Sequence, residues 1–196
     1  MNKIKTNLHD ILITQKNLSS IKENKQKVNY NASLLLGKQL SQSQSIRVGN
    51  VFQNYVEDIV KATDAIVDKE KYHDIYGITS SQKDNKIKNK NKKDLDILFS
   101  LNDILYYFEC KTNLNLDSEK SKATDNKITD IVAYLKSKNP GYKNIIGGIC
   151  SIWYQEVERC ALKSKIYYMK DIFDIVNMDI SESEYYNAWR SFGDKL

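Results

Sequence analysis

Along this 196-residue chain the spacing of apolar residues changes several times, and each change marks a new element. From about Leu8 to Leu36 the chain is polar and weakly helical, with Ile11, Leu12, Leu18 and Ile21 as modest apolar points and an interruption near Lys25 to Asn31. After Gly49 the period sharpens. Over Asn50 to Val67, the residues Val51, Phe52, Tyr55, Val56, Ile59 and Val60 fall on one side at helical spacing, with Asn50 placed as an N-cap. This predicts an amphipathic core helix.

The period then shortens to two. Leu95, Ile97 and Phe99 alternate against Asp94, Asp96 and Leu98, and Tyr106, Phe108 and Cys110 alternate against Tyr107, Glu109 and Lys111. Two strands are predicted, Asp94 to Ser100 and Ile104 to Lys111, joined as a hairpin by a turn at Leu101 to Asp103. A polar loop is expected from Thr112. Beyond it Ile128, Ile131, Val132 and Leu135 follow the i, i+3, i+4, i+7 rule, so a helix runs to about Lys138 and stops before Asn139-Pro140-Gly141. The apolar run Ile145 to Trp153 and then Lys165 to Met169 read as buried strands, and Asp171 to Asn177 and Ser183 to Phe192 as short helices.

The order helix, strand, strand, helix, strand, strand, helix predicts an α/β protein. Its central mixed β-sheet is flanked by helices, with an antiparallel hairpin and a crossover helix before the later strands. Pro140 is the one proline, no repeat is visible, and the length suits a single unit, so residues 1–196 read as one domain. Within it, a helical N-terminal portion covers 1–48 and the core covers about 49–170.

Composition narrows the class. With 41% hydrophobic and 28% charged residues, and no apolar run approaching a bilayer span, the chain reads as globular rather than membrane-spanning. Met1 to Ile13 mixes Lys3, Lys5, His9 and Asp10 into its apolar residues, unlike a secretory leader, and a cytoplasmic location is expected. Cys110, Cys150 and Cys160 are too few and too widely spaced for a disulfide framework or a zinc pattern. His9 and His73 have no nucleophile pattern around them, and neither GxxxxGK[ST] nor GxGxxG occurs, so no nucleotide cofactor is expected. The net charge of +5 permits an anionic partner, and its distribution says more. Gln82 to Lys93 reads QKDNKIKNKNKK, in which Lys88, Lys90, Lys92 and Lys93 suit either a solvated loop or one that contacts phosphates.

The segment DLDILFSLNDILYYFECK, Asp94 to Lys111, carries the chemistry. Residues i and i+2 of a strand share a face, so Glu109 and Lys111 project together, and the hairpin lays Asp96 close to them. Carboxylate oxygens are the ligands hard cations prefer. Asp96, Glu109 and the main-chain carbonyl of Cys110 could hold Mg²⁺ and leave positions for water and a phosphate oxygen, while Lys111 orients water or neutralises charge. An ordinary surface hairpin with a weak Glu–Lys pair is the competing reading. Against it, Tyr106, Tyr107, Phe108 and Cys110 suit a sheet centre, where charges are costly unless paired or metal-bound.

This arrangement resembles the PD-(D/E)XK nuclease superfamily, and the continuation KTNLNLDSEKSKATDNKI, Lys111 to Ile128, resembles small type II restriction endonucleases. The resemblance implies a restriction-endonuclease-like fold with Asp96, Glu109 and Lys111 as the metal-dependent centre. The family's proline before the first acid is replaced by Leu95. Asp96 is chosen because Leu95-Asp96-Ile97 matches the family's hydrophobic-Asp-hydrophobic stretch, and Asp94 is the fallback. Members often carry a further acid on the preceding helix. Glu57 is the candidate, although its helical angle, far from the apolar face, also suits a solvated glutamate. By the same resemblance the loop after the catalytic strand lies near DNA, so Thr112, Asn113, Asn115, Lys120 and Lys122 are candidate contacts or, alternatively, capping residues of a connector.

The implied activity is a Mg²⁺-dependent type II restriction endonuclease that cuts double-stranded DNA at a short specific sequence, acting as a homodimer because symmetric sites match symmetric proteins. Two other readings stand beside it: a structure-selective nuclease of the Holliday-junction resolvase type, and a non-catalytic nucleic-acid-binding module on the same fold.

Overall fold

In the computed structural model, which describes residues 36–37, 40–67, 80–83, 86–89, 95–153 and 161–195, the first long helix, α1, spans Gln42–Lys61. It begins ahead of Asn50, the expected cap. Ser41 is the N-cap: its side chain accepts from Gln44 N at 3.3 Å, and the Gln44 side chain accepts from Ser41 N at 2.9 Å. This reciprocal box satisfies two N–H groups that a helix start leaves unpaired. Gly49 lies inside the helix rather than before it. The far end is also shorter than expected. Thr63 Oγ1 donates to Val60 O at 2.7 Å as the helix ends, and Ile66–Val67 form a short strand, β1. The early part of the chain, about Leu8 to Leu36, lies outside the described residues apart from Leu36 itself.

Ser80–Lys83 and Lys86–Asn89 form an antiparallel hairpin, β2 and β3, in which Lys88 pairs with Ser81 and Lys86 with Lys83. The lysine-rich segment, read as a loop, thus carries ladder-forming backbone in its first half. Lys90, Lys92, Lys93 and Asp94 lie outside the described residues.

The expected hairpin is present as β4, Ile97–Leu101, and β5, Ile104–Lys111. Asn102 and Asp103 join them with φ of 51° and 61°. Two successive positive φ values are the signature of a type I′ turn, whose twist matches that of the flanking strands, and Asn and Asp tolerate this region better than other non-glycine residues. The ladder sets Ile97 opposite Phe108 and Leu98 opposite Tyr107, which leaves Asp96 just before the first ladder residue of β4.

Helix α2 spans Ser118–Lys138, ending where expected but starting well before its apolar period becomes visible. Asp117 caps it, accepting from Lys120 N at 2.8 Å. Its buried positions are Ser121, Thr124, Ile128, Ile131 and Leu135, so the stripe that faces the sheet is polar in its first half. Lys120 and Lys122 therefore lie on a helix and not in a loop. After α2 come β6, Asn144–Ser151, and β7, Ile166–Tyr168. The chain closes with α3, Met169–Ile175, and α4, Glu182–Asp194, the latter capped by a Ser181 and Glu184 box. Met169, expected at the end of a strand, instead begins α3.

The sheet order is β1-β4-β5-β6-β7, with β1, β4 and β5 antiparallel and β5, β6 and β7 parallel. The mixed sheet expected from the sequence is thus observed. Alternate strand residues feed two cores. Ile97, Phe99, Tyr106 and Phe108 pack with α1, α3 and α4, where Phe52, Tyr55, Phe173, Trp189 and Phe192 are buried. Leu98, Leu105, Tyr107 and Ile149 pack with α2 through Ile128, Ile131 and Leu135. Glu109 and Lys111 follow Tyr107 at successive two-residue steps, so they leave the sheet on the α2 side.

Candidate active site

The two strands of the hairpin bring the sequence-predicted acids together. The main-chain N–H of Cys110 donates to Asp96 Oδ2 at 2.9 Å, which ties the acid ahead of β4 to the residue between Glu109 and Lys111 on β5. From the opposite layer, Gln53 of α1 donates to the carbonyl of Asp96 at 3.1 Å and fixes the same residue from its backbone. Glu109 is 5% exposed, an unusual position for a carboxylate, and both its oxygens are occupied. Lys111 Nζ lies 2.9 Å from Oε1; Lys127 Nζ lies 2.6 Å from Oε2; and the Tyr107 hydroxyl donates to Oε2 at 2.8 Å. Asp96, Glu109 and Lys111 therefore gather at one end of the central strands, with Glu109 and Lys111 on one face as the two-residue period implied.

Besides Gln53, two residues around Glu109 go beyond the sequence pattern. Tyr107 alternates onto the face of Glu109 and reads there as a packing residue; the signal of its further role is its spacing from the acid. Lys127 leaves no such trace. It belongs to α2 upstream of the apolar points that reveal the helix, and the buried neighbours that position it, Thr124 and Ile128, are half polar.

The electrostatics of the two acids diverge. Burial and the neighbouring Glu109 carboxylate raise Asp96 above its ordinary value, against the opposing pull of Lys127, the Cys110 N–H and Lys111. Burial also disfavours ionised Glu109, yet Lys111 and Lys127 outweigh it and hold this carboxyl below its usual range. Burial and the adjacent Glu109 push the Tyr107 phenol far up, so it stays a hydrogen-bond donor. Burial and neighbouring Cys150 raise the Cys110 thiol, which keeps it protonated and leaves its main chain as the useful part. Asp96, Glu109 and the main-chain carbonyl of Cys110 form an oxygen-only donor set, the kind that fits a hard divalent cation, with Lys111 and Lys127 balancing the two carboxylates.

The remaining candidates are placed as follows. Glu57 pairs with Lys61 at 2.7 Å, one turn on along α1, and it is Gln53 that α1 brings to Asp96. Thr112 is half-buried where α1 passes, with its methyl 3.9 Å from where a side chain on Gly49 would begin. Asn113 accepts from Asn115 N at 2.8 Å, and Lys120 pairs with Asp117 at 2.9 Å, so both contribute to the turn and cap that start α2. Asn115, Lys120 and Lys122 are exposed. The backbone of Lys88 lies in β3, while Lys90, Lys92 and Lys93 are outside the described residues. Next to the site, Ser151 pairs in register with Lys111 and borders a cavity of about 210 Å³ between the ends of β6 and β7 and α3 and α4. Asp171, Asp174 and Glu182 line it, which disfavours a phosphate there.

Among comparisons with known proteins, a protein-family model described as type II restriction endonuclease, HinfI, matches residues 50–190. No curated protein and no solved structure matches the chain.

Proposed function

The chain belongs to the HinfI family of type II restriction endonucleases, and from that premise we propose that it hydrolyses phosphodiester bonds of double-stranded DNA at a short specific sequence, with Mg²⁺ as cofactor. The observation that carries this reading is the convergence of Asp96, Glu109 and Lys111 at one end of the hairpin, in a chain of this family. Asp96, Glu109 and the carbonyl of Cys110 are the residues that would hold the cation, and Glu57 is left to its pair with Lys61. When bound, the cation polarises the phosphoryl group, lowers the pKa of bound water and offsets charge in the transition state.

The chain's own residues do the rest. Gln53 and the Cys110 N–H fix Asp96 from its backbone and side chain, so the acid is held before substrate arrives. Tyr107 orients Glu109. Lys111, 26% exposed at its side chain, is close enough to solvent to position water or to neutralise a phosphate oxygen. Exposed Asn115, Lys120 and Lys122, with Thr112 and Asn113, would lie along the DNA beyond the catalytic strand, and Lys88, Lys90, Lys92 and Lys93 would contact phosphates. The enzyme acts as a homodimer in the cytoplasm, each copy a single nuclease unit that cuts one strand of a two-fold symmetric site. No helix among the described residues is long and apolar enough to cross a membrane.

Incubation of supercoiled plasmid with the purified full chain tests the reading. Discrete bands in Mg²⁺, lost with chelator and in Glu109→Gln, are expected. Preference for a four-way junction over plasmid would instead assign a resolvase, and binding without cleavage would assign a non-catalytic module.

A further inference from the structure

Lys111 and Lys127 hold opposite oxygens of the same carboxylate, but only Lys111 belongs to the strand motif. Lys127 comes from α2, whose buried stripe of Ser121, Thr124, Ile128 and Ile131 seats the helix against the sheet beside Glu109. Three observations separate it from a surface lysine. Its partner is a carboxylate with a side chain only 7% exposed, its own side chain is 22% exposed, and the contact, at 2.6 Å, is shorter than that of Lys111. Moreover, it neutralises a carboxylate that the proposed function needs as a metal ligand. A divalent cation held by this carboxylate would meet strong like-charge repulsion from the ammonium in so poorly solvated a place. The lysine stem is unbranched and flexible, and its side chain keeps partial contact with solvent, so it can swing without moving the helix.

We propose that Lys127 is an exchangeable counter-ion: it neutralises Glu109 in the metal-free enzyme, yields the carboxylate when a cation is bound, and carries its ammonium to a phosphate oxygen of the bound DNA strand. This inference rests on the metal site of the proposed function. Tyr107, which donates to Oε2, keeps Glu109 in place during the exchange. Lys111 remains on Oε1 or turns to water, so the two lysines divide between nucleophile and phosphate.

The test separates metal binding from cleavage. Calcium binding to the DNA-free full chain is measured by calorimetry for wild type, Lys127→Met, Lys127→Arg and Glu109→Gln. Single-turnover cleavage of supercoiled plasmid in Mg²⁺ is measured beside it. If Lys127 competes with the cation, Lys127→Met binds calcium about threefold or more tightly than wild type yet cleaves about tenfold or more slowly. Lys127→Arg, which keeps the charge, binds calcium close to wild type and recovers part of the cleavage rate. Weaker or unchanged calcium binding in a folded Lys127→Met overturns the proposal, because a lysine that merely props Glu109 would help the cation rather than compete with it. Unchanged cleavage in Lys127→Met overturns it as well. Should wild type bind calcium no better than Glu109→Gln, the metal site itself fails and the counter-ion role falls with it. Calcium binding abolished in Glu109→Gln but not tightened in Lys127→Met isolates the failure to Lys127.

Discussion

Asp96 Oδ2 accepts the main-chain N–H of Cys110 at 2.9 Å, so the acid that precedes β4 is bound to the backbone between the two charged residues of β5. The bond can survive replacement of the carboxylate by an amide, whose oxygen still accepts, though more weakly, but the charge does not. Asp96→Asn is therefore expected to abolish cleavage and to stabilise the metal-free protein at neutral pH, on the order of 1 kcal/mol, because a desolvated charge facing Glu109 is removed. Thermal unfolding should show a rise of roughly 2–4 °C. Burial and Glu109 raise the folded-state value of Asp96, so the wild-type deficit against Asn is full at neutral pH, fades as pH falls through that raised value, and is gone below the ordinary aspartate value of about 3.9. A lowered midpoint in folded Asp96→Asn would contradict this reading of the acid.

Glu109→Gln should move stability the other way. The change leaves Lys111 and Lys127 without their anion, and the expected loss is about 1–3 kcal/mol, less than for a fully buried pair because both lysines keep partial solvent contact. Lys111 and Lys127 hold the folded-state value of Glu109 down despite its burial. The wild-type advantage is therefore present above the ordinary glutamate value of about 4.3 and disappears as pH falls through the lowered value. Two conservative changes at the two acids thus both silence cleavage and differ in the sign of their effect on the melting temperature, which differential scanning calorimetry in chelator can read directly.

Lys111 separates charge from proton chemistry. Lys111→Ala is expected to retain metal-dependent DNA binding and lose the chemical step. Lys111→Arg keeps the charge on a larger, forked group that cannot deprotonate at working pH. If lysine positions water or accepts a proton, arginine fails nearly as badly as alanine. If it stabilises charge, arginine recovers on the order of tenfold or more over alanine in single-turnover rate.

Salt dependence measures the lysine-rich segment. Replacing Lys88, Lys90, Lys92 and Lys93 by Gln should flatten the fall of DNA affinity with salt, by a slope of roughly 0.9 for each phosphate that is no longer neutralised. An unchanged slope in a filter-binding series would show that these lysines stand clear of the DNA.

Gly147 of β6 faces α2, where an added methyl would run into Val132 and come within 3.3 Å of Ile128. Gly147→Ala is expected to cost about 1–3 kcal/mol through overpacking. Because α2 also carries Lys127, cleavage should fall along with stability, in contrast to a surface Gly141→Ala, where nothing lies within 4 Å. Chemical denaturation and plasmid cleavage of both variants check this.

The parts of the fold that the sequence reveals are those whose apolar period is undiluted. The alternation in β4 and β5 marks both strands, the turn and the shared face of Glu109 and Lys111, because successive strand residues face opposite ways, one set toward α1, α3 and α4 and the other toward α2. Helix starts are less visible. Ser41 begins α1 and Asp117 begins α2 through side-chain bonds to the backbone, while the first turns they cap carry polar residues with no apolar stripe. Gly49 looks like a boundary and is an interior position. Lys127 is hidden for a related reason: the stripe beside it is built of Ser121 and Thr124 at that level, small polar residues that pack closely without registering as hydrophobic. Gln53 is invisible because its partner is a main-chain carbonyl, which no side-chain pattern encodes.

Asn102 and Asp103, though remote from the acids, act as a measuring rod for them. The loop admits two residues, both in left-handed conformations, and the carbonyl of Asp103 is further pinned by Lys143 N at 2.8 Å. Counting back along the two strands from this point is what aligns Asp96 with Glu109. Lengthening the loop by one residue and letting β4 slip to match would carry Leu98 out of one core and Asp96 to the other side of the sheet, since neighbouring strand positions face opposite ways. The distance between the two carboxylates is in this sense written at the far end of the hairpin, where a change in chain length would disarm the centre without touching any of its residues.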